Sequence, residues 1–177
     1  LGAGTIATYG KAGDHYRFYE IDGAVVDAAR RYFSYLGDSA AKVDVAVGDG
    51  RLLLQAETTQ RFDVLAVDAF SGDSIPVHLL TREAVALYVQ RLKPGGVIAL
   101  HVSNRFLDLR PVVGQIAADL GLQLQYIEDH ETDESAPEKA SSDWILLARE
   151  RGVLDLPALA QASRALPEVP PRPAWTD

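Results

Sequence analysis

Phe62, Val64, Leu65, Ala66 and Val67 form a short apolar run rich in branched side chains, and the run stops abruptly on Asp68. Such a run reads as a strand buried on both faces of a parallel sheet. That requires helices on either side and restricts the chain to an α/β architecture. A carboxylate at the carboxyl end of a buried strand, followed by a loop carrying Gly72, Asp73 and Pro76, sits where open α/β sheets bind ligands.

The remaining elements follow the same alternation. Gly2 to Tyr9 reads as a glycine turn entering a short helix, and Tyr16 to Ile21 as a strand with acids at Glu20 and Asp22. From Gly23 to Tyr35, apolar residues at helical spacing (Ala24, Val25, Ala28, Ala29, Tyr32, Phe33) predict an amphipathic helix with Asp22 as its N-cap. Lys42 to Val47 is a strand closed by Gly48-Asp49-Gly50, and Arg51 to Glu57 a helix. Thr81 caps a helix whose inner face carries Ala84, Val85, Leu87, Tyr88 and Leu92, and Lys93-Pro94-Gly95-Gly96 ends it. Val97 to Val102 is a strand, Pro111 to Leu120 a helix, and Leu122 to Ile127 and Trp144 to Ala148 the last two strands. Leu156 to Leu166 predicts a final helix before a proline-rich extended tail. The expected fold is α/β, a Rossmann-like doubly wound and mostly parallel sheet with a C-terminal antiparallel hairpin. Residues 1–150 are expected to make one ligand-binding domain and residues 151–177 a C-terminal helix and tail.

The sequence opens on Leu1-Gly2-Ala3-Gly4 with no strand leading into the glycines, although such a turn normally follows one. The expectation is that the sequence begins inside a larger protein. The preceding strand would lie between the Tyr16 and Phe62 strands, supplied from upstream or by another chain.

Composition narrows the function classes. A net charge of −8 opposes association with nucleic acid or anionic lipid. The absence of cysteine removes disulfides and thiolate metal sites, which suits a reducing compartment, and a cytoplasmic location is expected. No apolar run approaches the roughly 20 residues needed to cross a bilayer. His78 and His101 lack partners at metal spacing, so no metal is expected. His101, alternating with apolar neighbours in a strand, is expected to be buried with a hydrogen-bond partner. Ser71, Asp73 and Ser74 read as turn formers.

Gly2-x-Gly4-x-x-Ala7, with acids about 20 residues further on, fits a dinucleotide fingerprint, but the motif alone is weak. Three acids at successive strand ends, Glu20, Asp49 and Asp68, suit a neutral or cationic adenosine ligand better than a pyrophosphate, which they would repel. A sulfonium nucleoside meets that condition.

The ordered series LGAG, YEID, VGDGR, FDVLAVDAF and DWILLA resembles the spermidine synthase branch of the class I S-adenosylmethionine-dependent methyltransferase fold, over nearly all of Leu1 to Arg149. The resemblance implies a cofactor of the S-adenosylmethionine or decarboxylated S-adenosylmethionine type, leaving methylthioadenosine or S-adenosylhomocysteine as product. It implies that Gly2 and Gly4 pass close to the cofactor's amino end and that Glu20 binds the ribose. Ile21 packs on the adenine, and Asp49, followed by Gly50, holds the adenine amine. Asp68 matches the first acid of the family's Asp-x-x-Asp motif, a general base for the attacking amine.

Three departures stand out. Thr5 replaces the acid that usually follows the glycines, which makes undecarboxylated S-adenosylmethionine admissible. Asp73 is displaced from the second motif position. The family's amino-terminal β-domain is absent from the sequence.

The expected activity is transfer of an aminopropyl group to an amine or other small nucleophile, with Asp68 able to serve as the base if burial or neighbouring acids raise its pKa. The expected partner is a small-molecule substrate, a polyamine by resemblance, and a homodimer is compatible with this reading. Methyl transfer is the near alternative. Another is a catalytically inactive nucleoside-binding or structural domain of a longer protein, and a nicotinamide enzyme is the outsider.

Overall fold

A computed structural model describes residues 1–69, 75–104, 107–129, 141–166 and 172–177. The chain divides into two units, Leu1–Thr58 and Thr59–Asp177. Asp73, Ser71 and Ser74 fall outside the described residues.

The first unit starts with the glycine turn, which enters a 3₁₀ turn at Thr5–Tyr9. Two parallel strands follow, β1 (His15–Glu20) and β2 (Lys42–Val47), in register from His15 against Lys42 to Glu20 against Val47. Between them lie α1 (Gly23–Tyr32) and the short α2 (Tyr35–Asp38), and after them α3 (Gly50–Ala56). Asp22 caps α1 as expected, accepting the Ala24 N–H at 2.8 Å. The helix is shorter than its apolar pattern predicts. It ends at Tyr32, where Phe33 turns extended at φ −129°, and both aromatic side chains lie exposed instead of on an inner face.

The second unit holds a five-stranded sheet in the order β3-β4-β6-β5-β7. Its elements are β3 (Phe62–Val67), α4 (Arg82–Arg91), β4 (Leu92–His101), α5 (Arg110–Asp119), β5 (Gln123–Asp129), β6 (Ser142–Ala148), α6 (Arg151–Leu154), α7 (Pro157–Ala162) and β7 (Ser163–Arg164). β3 and β4 are parallel, and β6 enters antiparallel between β4 and β5. The predicted terminal hairpin is therefore present. Pro111 lies in the first turn of α5, where its missing N–H costs nothing.

Four sequence expectations need correction here. The first concerns β3, which is an edge strand of this sheet among the described residues. Only Leu65 and Val67 are buried, and Val64 is 62% exposed, so the strand buries one face and not two.

The second concerns Leu92, which belongs to β4 and not to α4. Phe62 pairs with Leu92 and Val64 with Val97, so Lys93–Gly96 bulges out within one strand. Third, the helix predicted from Leu156 to Leu166 stops at Ala162, because Ser163 and Arg164 pair with Ile127 and Tyr126 of β5. Fourth, β5 and β6 run past their expected bounds, β5 reaching Asp129 instead of ending at Ile127 and β6 starting at Ser142 instead of Trp144.

The core of this unit is built on β4 and β6. Ile98, Leu100, Ile145 and Leu147 are fully buried together with Val85 and Tyr88 of α4 and Val113 and Ile116 of α5. Leu146, Ala148 and Leu154 form a further buried cluster against Val97, Ala99, Ile127 and Leu159, so β6 is apolar on both faces. Each such Leu or Ile side chain contributes roughly 1.5–3 kcal/mol by leaving water. At the amino end of α4, Thr81 accepts the Ala84 N–H at 3.2 Å and donates its hydroxyl to Asp177 at 2.8 Å. The Arg82 N–H is taken by the Trp175 carbonyl.

Candidate functional site

In the second unit, the polar chemistry collects where β3 and β4 end and β6 begins. Asp68 follows β3 directly and is half exposed. Its Oδ1 lies 2.7 Å from His101 Nδ1, at the last residue of β4, and His101 Nε2 lies 2.9 Å from Ser103 Oγ. A carboxylate only accepts hydrogen bonds, so Nδ1 must carry a proton. In a neutral ring Nε2 is then the acceptor, and Ser103 donates to it. Ser103 Oγ in turn accepts the backbone N–H of Asp143 at 2.7 Å. The His101 side chain is only 20% exposed, and Trp144, its cross-strand partner, stacks on it at 4.7 Å and 13°.

A second layer supports the first. Tyr126 of β5 donates its hydroxyl to Asp143 Oδ1 at 2.9 Å, and Arg110 approaches the same hydroxyl at 3.5 Å. Two nitrogens of Arg110 hold Asp108 at 2.8 and 3.0 Å. Burial, helped by the bond to Asp143, pushes the Tyr126 phenol up, and the Arg110 guanidinium holds Asp108 below the usual carboxylate range.

This geometry bears on the condition set for Asp68 as a base, a pKa raised by burial or neighbouring acids. The hydrogen bond from His101 lowers its pKa and outweighs the opposing effect of burial. It therefore does not have the raised pKa that a carboxylate base near neutral pH needs. His101, expected to be buried with a hydrogen-bond partner, is partly buried and bonds both Asp68 and Ser103. Ser103, Asp143 and Trp144 escape sequence reasoning. The available signal was spacing: His101 and Ser103 stand two apart on an extended chain and share a face.

In the first unit, polar groups gather at the ends of β1 and β2. Glu20 Oε1 accepts the Asp22 N–H at 3.1 Å, and Oε2 lies 3.3 Å from the Leu1 nitrogen, which brings the glycine turn beside the end of β1. The Gly48 N–H is taken by the Glu20 carbonyl at 2.8 Å, tying the two strand ends together. Asp49 caps α3, its Oδ1 accepting the Leu52 N–H at 3.0 Å, and Gly50 opens that helix against Tyr19. Ile21 is 72% exposed, and Val47 and Leu52 are exposed as well. Thr5 opens the 3₁₀ turn and is exposed.

Further along α3, Glu57 ties back to β1 through Arg17 and accepts the Tyr19 hydroxyl at 2.6 Å. Burial and that bond push the Tyr19 phenol up to about 12, and Arg17 holds Glu57 below its usual range. Among the described residues no group of three or more His, Asp or Glu is placed to hold a metal ion. No described helix is long and apolar enough to cross a membrane.

Strand order, the terminal antiparallel hairpin and acids at strand ends define a Rossmann-like α/β protein of the class I methyltransferase type. A solved structure with this fold, a probable spermidine synthase from Corynebacterium glutamicum, superposes with a TM-score of 0.59 at 21% identity over 82% of this chain and 52% of that one. The sequence profile of the Spermine/spermidine synthase domain matches residues 11–120, and the chain belongs to that family.

Among curated relatives, a polyamine aminopropyltransferase from Vibrio vulnificus is 35% identical over 52% of this chain and 30% of its own length. Putrescine N-methyltransferase 2 from Nicotiana tabacum is 28% identical over 56% of this chain and 29% of its own length. The chain thus spans less than a third of the length of these two relatives.

Proposed function

We propose that this chain carries the nucleoside-binding and proton-handling parts of a transferase that uses an S-adenosylmethionine-type sulfonium and delivers its aminopropyl or methyl group to a small amine. The observation that carries this reading is the end of β1. An exposed apolar Ile21 stands beside Glu20 and the glycine turn, offering an apolar surface for a base next to a carboxylate for ribose hydroxyls.

Family membership supports it, and the two relatives are named for aminopropyl transfer and N-methyl transfer on polyamines, both with an amine acceptor. Asp49 is the residue for the adenine amine, and Thr5, uncharged, admits a donor with or without its carboxylate. In the second unit Asp68 and His101 form the acid–base pair. Transfer needs little beyond positioning and proton removal, because the sulfonium is already an activated leaving group.

The test is calorimetry with S-adenosylmethionine, its decarboxylated form, methylthioadenosine and NAD. Binding of a sulfonium nucleoside and of methylthioadenosine, without NAD, is the expected outcome, and the better donor identifies the group transferred. Binding of NAD alone, or of no adenosine compound by folded protein, removes this function.

A further inference from the structure

We propose that the proton of the attacking amine is received by His101 Nε2 through the hydroxyl of Ser103, with Asp68 as the positioning residue that fixes the imidazole. This deepens the transferase reading and rests on it. The chain Asp68 Oδ1, His101 Nδ1, His101 Nε2, Ser103 Oγ is continuous at 2.7 and 2.9 Å. Every group in it has one consistent direction of donation. Asp68 accepts from Nδ1, Ser103 donates to Nε2, and the Asp143 N–H donates to Ser103 Oγ. One lone pair of the serine oxygen remains, on a side chain that is only partly buried. Trp144, stacked on the ring and placed opposite His101 by the β4–β6 pairing, restrains the imidazole.

The step balances. The amine lone pair forms the new N–C bond while the C–S bond breaks and its electron pair goes to sulfur, turning the sulfonium into a neutral thioether. The alkylated nitrogen, now cationic, passes a proton to Ser103 Oγ as the serine proton moves to Nε2. The imidazolium so formed faces the Asp68 carboxylate and returns its proton to solvent. Aspartate held in its ionised form by this histidine is a poor proton acceptor but a good electrostatic partner for the imidazolium, the division of labour seen when a carboxylate orients a histidine base. Among the described residues, the titratable and charged groups around the ring are Asp68 after β3, Asp143 at the start of β6, Tyr126 on β5, and Arg110 with Asp108 at the start of α5.

Two measurements on the full chain test this. Nitrogen NMR of ring-labelled protein reads the tautomer without any substrate. The expected neutral form carries its proton on Nδ1, and Asp68→Asn shifts it toward Nε2. A wild-type ring protonated on Nε2 overturns the relay whether or not the protein transfers any group.

The second is the pH profile of group transfer from the donor that binds best. Wild type should lose rate toward low pH along a single-proton limb, because the base must be unprotonated to accept the amine's proton. His101→Gln, which keeps a hydrogen-bonding side chain but accepts no proton, should abolish that limb and lower turnover by about 100-fold with donor affinity unchanged. Ser103→Ala, removing one oxygen, should give the same loss and covers the case in which His101→Gln fails to fold. Retention of the limb at full rate in either folded variant overturns the proposal. Absence of transfer by wild type from any sulfonium donor defeats the transferase reading instead, and the tautomer measurement then decides the relay by itself.

Discussion

Gly4 enters the turn before β1 with φ +85°, and a Cβ built there would stand 2.5 Å from Leu36 Cδ2. Gly4→Ala combines a left-handed backbone with a clash and should destabilise the first unit by about 1–3 kcal/mol in chemical unfolding.

Asp68 titrates below its ordinary value because His101 donates to it. The sign follows from linkage. A depressed carboxylate contributes stability that is fully present above its unfolded pKa and is lost as pH falls through the lower folded one. Carboxyl NMR should therefore place the Asp68 midpoint below that of exposed aspartates, and His101→Gln should raise it. Asp68 as a strand-end acid is legible in the sequence because an apolar run stops on it, and Asp22 as a cap because a helical pattern starts after it. The bond from the Asp143 N–H to Ser103 is not legible, since it depends on β6 returning Asp143 to the end of β4 across a polar segment without periodicity.

Asp49 has two assignments, one as the observed N-cap of α3 and one as the proposed holder of an adenine amine. Asp49→Ala should cost about 1 kcal/mol of stability through the cap and about 1–3 kcal/mol of adenosine affinity through the lost acceptor. Asp49→Ser separates them, because serine caps a helix as well as aspartate but is shorter. Its melting temperature should stay near wild type while calorimetry shows weakened adenosine binding. Equal affinity in wild type and both variants would leave Asp49 as a cap alone.

At this scale helix starts are well marked in the sequence, as with Asp22, Thr81 and Pro111, since caps are local chemistry. Ends governed by pairing with distant segments are not. Leu92 is drawn into β4 by Phe62, and Ser163 leaves its helix to pair with Ile127.

Across the molecule, apolar burial is uneven. Leu1–Thr58 fully buries Ala7, Val26, Ala29 and Leu54, while Ile6, Tyr9, Ile21, Tyr32, Phe33, Val47 and Leu52 remain exposed. β4 and β6, by contrast, are enclosed by apolar neighbours. Amide hydrogen exchange should therefore be faster in β1 and β2 than in β4 and β6, and uniform protection across all four strands would contradict this. The α/β class is legible from alternation alone, but the split of the chain into two units has no compositional signal near Thr58.

The sheet order carries a consequence for synthesis. β6 lies between β4 and β5, yet it is made after both. At roughly 5–20 residues per second, the interval from Asp129 to Ala148, when β5 is complete and β6 is not, lasts about 1–4 s, while a β-hairpin closes in about 1–10 µs. During that interval the nascent β4 edge has β5 within reach and its native partner still inside the ribosome. Non-native pairing of these two strands is the trap this topology sets. Ribosome-bound chains halted before Ser142 should accordingly be protease-sensitive and chaperone-bound, and chains extended past Ala148 should be released from both.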